Sequence, residues 1–267
     1  DLRPSMGYLF APAPDTWYAF QVTSAHRMGG LLWFAGTAAH DDTLDKNAYL
    51  LGVATREEEV FVGGGTPILE PATWDAHSQN APTVIATAEG YTMWFHGRSS
   101  DDVLPVVGRA FSVDGITWTA DPDNPVYSPS SGGRAAHPTV VDDGDGRIEM
   151  WTLGEEGIEY ALSSDGGASF TPFCDNPVLR LCKTPEVTWN GERYLATYAC
   201  GEDLDYRIHW AESFDGLRWV NADGPILTAN GESWQSQSVA NGQVHWNEGV
   251  IEMTYVGVEE TGAEPRN

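Results

Sequence analysis

Residues 112–127 read SVDGITWTADPDNPVY. The same phrase returns as SSDGGASFTPFCDNPVL at 163–179, as SFDGLRWVNADGPIL at 213–227 and, eroded, as TREEEVFVGGGTPIL at 55–69. Recurrence at a spacing of roughly fifty residues marks a repeat architecture, in which one small unit cannot bury its own apolar face and must stack on its neighbours. This constrains the chain more than any other feature.

One unit can be followed from Trp74. APTVIAT and YTMWFHG are short runs of β-branched and aromatic residues separated by Glu89-Gly90, a strand–turn–strand signal. VVGRAFS reads as a third strand, and Asp114-Gly115 as a tight hairpin into a fourth. Asn-Pro-Val then leaves the sheet, because proline cannot donate to a central ladder. The unit is a four-stranded antiparallel meander. Aligning the glycine that closes each second strand gives Gly36, Gly97, Gly154, Gly201 and Gly257, hence five units, the last with only two strands. MGYLFAPAPDTW at 6–17 resembles the third-strand pattern VGRAFSVDGITW, with Trp17 at the place of Trp118. Residues 1–17 are therefore expected to complete the last unit and close a ring without an open sheet edge. The expected fold is an all-β, five-bladed β-propeller forming a single domain over 1–267, with blades at about 18–71, 72–130, 131–180, 181–228 and 229–260. No segment sustains a 3.6-residue apolar period, so helix should be scarce. The Ser-x-Asp-Gly phrase itself reads as turn chemistry, its aspartate capping its own hairpin and its aromatic packing between blades.

Composition narrows the partners. With eleven Trp, ten Tyr and nine Phe the chain is globular, and its formal net charge is −25. Such a field repels nucleic acid, anionic lipid and polyanionic substrates. No apolar run approaches the roughly 18 residues that span a bilayer. Three cysteines, Cys174, Cys182 and Cys200, lack metal-type spacing and make no disulfide framework, leaving room for one bridge. The first residue is Asp1, and no signal-like segment follows; a secreted or periplasmic location is expected of a processed form, and a cytoplasmic one otherwise. Oligomeric state is not legible.

The blade wording P-x-V, G-Y-x-M-W-F, G-x-A-x-S-x-D-G-x-x-W and N-P-V resembles the five-bladed propeller glycosidases, among them the family 43 arabinanases and xylosidases and the family 32 invertases. The resemblance spans nearly the whole chain but lies in blade-building residues. SSDGGASF also matches the Asp box of sialidases. Those use six blades and an arginine cluster, a poorer fit to a chain with 14 Lys and Arg. The resemblance implies channel carboxylates: an Asp before a proline as base or nucleophile, a second such Asp, and a Glu two residues before a proline as proton donor. Two are required because one must be ionised while the other is protonated. Here those positions hold Ala81, His137 and Thr184, with Lys183 where the Glu would stand and Asn241 in the fifth unit.

Strand alternation points to substitutes. If the pre-proline residue faces the channel, so does the residue two further on: Thr83, Thr139, Glu186 and Gln243. Glu186 is the carboxylate of that layer, a candidate acid or base. His137 stands where the resemblance puts an orienting Asp, and a histidine there is expected to act as general acid or base near neutral pH. The loops WDAHSQN and WQSQSVAN offer Trp74 and Trp234 as stacking platforms, with Asp75, His77, Asn80 and Gln237 as polar partners. The expected catalytic residues are Glu186, His137 and Asp75. Trp74, His77, Asn80, Lys183, Trp234, Gln237 and Asn241 are expected to bind substrate. The activity implied is glycoside hydrolase-like, on a neutral oligo- or polysaccharide at the channel mouth. The alternatives are a sugar-binding propeller without catalysis, and a protein-interaction propeller using an acidic rim. No cofactor is required; the acidic second-to-third-strand loops at 40–47, 98–102, 154–157, 201–205 and 257–260 offer a Ca²⁺ site at most.

Overall fold

The computed structural model describes residues 9–38, 48–129, 132–144, 146–180, 183–201, 205–247 and 250–258. Its strands form antiparallel meanders in chain order. The first sheet is β1 (Gln21–Met28), β2 (Leu31–Thr37), β3 (Leu50–Glu57) and β4 (Val60–Gly63). The second is β5 (Ser78–Thr87), β6 (Gly90–Arg98), β7 (Val106–Ser112) and β8 (Thr119–Ala120). The third is β9 (Ala136–Asp142), β10 (Ile148–Leu153), β11 (Gly157–Ser163) and β12 (Thr171–Pro172), with β13 (Leu179–Arg180) also paired to β11. The fourth is β14 (Lys183–Trp189), β15 (Tyr194–Cys200), β16 (Arg207–Ser213) and β17 (Val220–Asn221). The last unit contributes two strands, β18 (Ser238–Asn247) and β19 (Val250–Val258). The molecule is an all-β propeller of four-stranded antiparallel blades. Four are complete, against the five expected, because the described chain stops at Val258, after the second strand of its last unit. The one helix among the described residues is a single 3₁₀ turn, Ser233–Gln235.

The recurring hairpin phrase is a latch between blades. Within its own turn, Ser112 Oγ accepts from the Gly115 amide, and Asp114 Oδ1 accepts from the amides of Ile116 and Thr117. Its carbonyl is used by the preceding blade: Trp33 Nε1 of β2 donates to Gly115 O at 2.8 Å. Trp94 of β6 makes the same bond to Gly167 O at 3.1 Å, and Trp151 of β10 to Gly216 O at 2.9 Å. All three indoles are buried. Burying a tryptophan removes roughly 150–250 Å² from water, worth on the order of 4–6 kcal/mol. The directional bond adds only about 1 kcal/mol but sets the angle between neighbours. The glycine is obligatory twice over. Gly216 sits at φ 70, and a Cβ there would lie 2.7 Å from the Trp151 ring.

In three units a second tryptophan covers the sheet glycines. Trp74 lies on Gly97 and Gly108, whose added Cβ atoms would strike its ring; Trp17 lies likewise on Gly36 and Gly52, and Trp234 on Gly257. Trp17 is thus the counterpart of Trp74 and Trp234, not of Trp118 as its sequence setting implied. The described part of the N-terminal segment packs on the first blade. Leu9 O accepts from Phe61 N of β4 at 2.8 Å, and Leu9, Phe10, Ala13 and Trp17 cover Tyr18, Phe34 and Phe61. Leu9–Trp17 therefore do not run along the last unit; residues 1–8 lie outside the described residues. Asn124 and Asn176 of the Asn-Pro-Val phrases each exchange two hydrogen bonds with the backbone of the third strand, at Arg109 and Tyr160. Cys200 is disulfide-bonded and Cys174 is free.

The latch can be tested against an internal control. Gly216→Ala combines an unfavourable φ with a clash on Trp151, whereas Gly166→Ala has a comparable φ of 72 and nothing within 4 Å. We expect Gly216→Ala to lose roughly 2–4 kcal/mol and Gly166→Ala about 1 kcal/mol, read from urea unfolding midpoints. Equal losses would show that the indole contact contributes nothing.

Candidate functional site

The first strand of each unit carries the same distortion. Ser24, Ala81, His137, Thr184 and Asn241 all have φ between 46 and 51, the left-handed region that side chains with a Cβ rarely occupy. Each coincides with a register shift against the second strand, between Thr23 and His26, Asn80 and Thr83, Lys183 and Glu186, and Ala240 and Gln243, and opposite Trp151–Leu153 for β9. These are β-bulges, which re-aim side chains at a local cost of order 1–3 kcal/mol. Three of them, Ala81, His137 and Thr184, are the pre-proline residues, and none of the five is acidic.

Below the bulges, side chains tie one inner strand to the next. Thr83 Oγ1 accepts from Val140 N at 3.4 Å, and Thr139 Oγ1 bonds both N and O of Val187 at 3.1 and 3.3 Å. Thr197 Oγ1 donates to Gly242 O. Gln243 bonds the Arg27 amide at 2.7 Å, the Arg27 carbonyl at 3.3 Å and the His26 ring at 3.2 Å. Asn241 Nδ2 donates to Ser24 Oγ at 3.2 Å, and Arg27 pairs with Glu252 at 3.2 Å.

A cavity of about 730 Å³ lies on this axis, lined from β1, β5, β9, β14 and β18. Its deeper lining holds His26, Thr139, Glu186 and Gln243, and two residues along each strand stand Met28, Ile85, Val141, Thr188 and His245. Gly29, Arg56, Asp142 and Trp189 also line it. It thus opens on the face of the first-to-second and third-to-fourth strand hairpins. Glu186 is half-buried, and burial alone pushes its carboxyl up to about 8. Burial, and then the neighbouring His245, lowers His26 to about 3. Burial, with Arg27 beside it, lowers His245 to about 4 despite the opposing pull of Glu252. At neutral pH these three groups are uncharged hydrogen-bonding partners. His245 Nε2 lies 2.9 Å from Thr254 Oγ1, and the half-buried Trp189 packs on Tyr194 at 4.6 Å between ring centroids.

The opposite mouth holds most other predicted site residues. His137 donates its amide to His96 Nδ1 at 3.0 Å, the two rings 5.1 Å apart, and burial, then Arg134, lowers its imidazole to about 4. Its Nδ1 and Thr184 Oγ1 are buried without a hydrogen-bond partner. Lys183 Nζ donates to Tyr206 OH at 2.9 Å and, with Arg134 and Leu153–Gly157, borders a pocket of about 360 Å³. His77 Nε2 lies 3.1 Å from Asp101, which also meets Arg98 at 2.9 Å. Asn80 accepts from the Ala81 amide at 2.6 Å, and the Gln237 amide donates to Val258 O at 3.0 Å.

Asp75 stands apart from both. It is buried, with Oδ1 accepting from the Ala72 amide at 2.6 Å and Oδ2 from Gln79 Nε2 at 2.8 Å; burial raises its carboxyl against those bonds. It holds the turn that seats Trp74; the buried Gln235 beside Trp234 instead accepts from Tyr255 OH at 2.9 Å. Trp74 and Trp234 press on sheet glycines, which the glycine closing each second strand, Gly97 and Gly257, would have indicated. Glu186 is therefore not brought together with Asp75. His26 and His245 are functional candidates that strand alternation reaches from Ser24 and Asn241, provided the bulge is counted. No group of three or more His, Cys, Asp or Glu suited to a metal ion occurs among the described residues; much of the acidic rim, including 39–47 and 202–204, lies outside them.

No protein-family model matches the chain, and no curated protein sequence matches it. Solved structures do. A glycosyl hydrolase from Bacteroides ovatus superposes with a TM-score of 0.75 at 15% identity, covering 97% of this chain and 90% of that one. A structure described as a glycoside hydrolase gives 0.74 at 15% identity, with 93% and 86% coverage. A third comes from the family 130 mannoside phosphorylases, a family containing glycoside hydrolases that target β-1,2 mannosidic linkages in Candida mannan; it gives 0.69 at 16% identity, with 91% and 85% coverage. The likeness is one of fold.

The channel groups predict a pH signature. The carboxyl raised to about 8 favours the fold most below its unfolded value of 4.5, and that contribution is lost as pH rises toward 8. The lowered histidines do the reverse, contributing fully above 6.5 and losing it as pH falls toward 4 and 3. Stability should therefore peak near pH 6.5. Glu186→Gln should stabilise relative to wild type increasingly between pH 6.5 and 8.5, then plateau, in a pH series of thermal unfolding. A constant offset across that range would mean that Glu186 ionises normally.

Proposed function

We propose that this chain is a glycoside hydrolase-like, carbohydrate-active protein that takes a neutral oligo- or polysaccharide at its central channel. The observation that carries the reading is Glu186: a carboxyl held protonated at neutral pH inside a cavity on the propeller axis. A protonated acid of this kind is what glycosidic cleavage needs at the leaving oxygen. Asp142, exposed at the rim, is the other carboxylate lining the same cavity. In this mechanism Asp142 takes a proton from water as its oxygen bonds to the anomeric carbon. The bond from that carbon to the leaving oxygen breaks, and the Glu186 proton goes to that oxygen. Asp75 has both oxygens engaged in its own turn and serves to position Trp74. In the same reading the β18–β19 sheet is the fifth blade. It joins the first through Gln243, Asn241 and the Arg27–Glu252 pair.

A second reading, sugar binding without turnover, is favoured by Ala81, Thr184 and Lys183, which stand where the resemblance implies carboxylates, and by bulge positions of which none is acidic. There His137, Lys183 and Asn241 would contact ligand hydroxyls rather than move protons. Release of reducing sugar from a panel of neutral oligosaccharides separates the two. Turnover with an alkaline limb near pH 8, reduced at least about 10³-fold by Glu186→Gln, is expected of the hydrolytic reading. Saturable binding with no released sugar from wild type would leave only the second.

A further inference from the structure

We infer that the ligand enters from the hairpin face: the cavity below the bulges is a binding site for an uncharged, hydroxyl-rich ligand of about two sugar rings, with Glu186 donating a hydrogen bond at its floor and Trp189 at its rim. This rests on the carbohydrate reading above and adds the mouth, the size and the charge of what is bound. The loops that sequence pattern marks for substrate lie at the other end, where the pocket is about half as large.

Four observations support it. The cavity's volume of about 730 Å³ falls within the ~300–1,000 Å³ of small-molecule sites. Its wall alternates apolar residues, Met28, Val84, Ile85 and Val141, with groups that donate or accept, as a sugar's CH faces and hydroxyls require. Glu186 lines it, and no other residue's polar atom is bonded to its carboxyl among the described residues. The titratable groups that face it leave little net charge. His26 and Arg27 come from β1, with Arg27 paired to Glu252 of β19. His245 comes from β18, Asp142 from β9 and Arg56 from β3, the last paired with Glu59 at 3.6 Å; β5 supplies none. Asp142, without an ion-pair partner among the described residues, costs a neutral ligand little, whereas an anionic one meets the repulsion of that carboxylate and of a chain at −25.

The test is calorimetric titration of the full chain with cellobiose, xylobiose, mannobiose and, as the anionic comparator, digalacturonate. At least one neutral disaccharide is expected to bind and digalacturonate to bind more weakly. Thr188→Trp, which fills the cavity from its rim, should weaken binding at least about tenfold, with Thr188→Gln as a milder filler should the larger side chain unfold the protein. Leu153→Trp, which fills the opposite pocket, should leave affinity unchanged. Between pH 6 and 9.5 wild-type affinity should fall several-fold as the Glu186 proton is lost, whereas Glu186→Gln, still a donor, should bind equally at both. Sensitivity to Leu153→Trp but not to the Thr188 variants, tighter binding of digalacturonate, or no binding by any disaccharide would overturn the assignment. The glycosidase reading fails separately. Binding that follows this pattern without any turnover leaves the site standing, and turnover untouched by Thr188→Trp removes the site while leaving hydrolysis.

Discussion

The whole arrangement depends on an indole N–H reaching across to the next blade's hairpin. Trp33, Trp94 and Trp151 each place a ring against a glycine and donate to its carbonyl, so one contact supplies burial, direction and spacing together. The chain of latches runs from the first blade to the fourth and stops where its parts run out. The first blade's own hairpin, Glu57-Glu58-Glu59, has no glycine, and the position of the indole is Thr197 in the fourth unit and Thr254 in the last. Between the last unit and the first, the connection changes character to polar side chains, Gln243 and Asn241 bonding Arg27 and Ser24.

That packing brings five bulged strands around one axis. A left-handed residue with a Cβ is costly, and five at equivalent places are tolerated because neighbouring strands over-determine each of them. The bulge lets the next residue down point inward, so His26, Thr139, Glu186 and Gln243 share one level. In the layer below the pre-proline residues, burial leaves Glu186 and His26 uncharged at neutral pH.

Much of this was legible in the residues. The Ser-x-Asp-Gly phrase, the strand-ending glycines and the period of the aromatic runs were sufficient for an all-β repeat, and alternation from the pre-proline position led to Glu186, which lines the cavity. The errors share one cause. Trp17 and Trp118 look alike because each follows a Thr and stands seven residues after a Phe, yet Trp17 packs on Gly36 and Gly52 while Trp118 bonds its own hairpin at Gly115 O. Asp75 beside Trp74 has the appearance of a sugar site in one dimension. In three, its carboxylate is consumed by Ala72 and Gln79.

By itself the sequence determined the repeating unit, because turn geometry and strand alternation are local and act over a few residues. It also determined the net charge, which is a sum and needs no fold. Only the tertiary structure decided which units are complete, which tryptophans are plugs, and toward which face the channel widens. Those depend on what packs against each side chain from strands far away in the chain. The protonation of Glu186 belongs to the same class, since its cause is exclusion of water by neighbouring strands that no run of letters around position 186 contains.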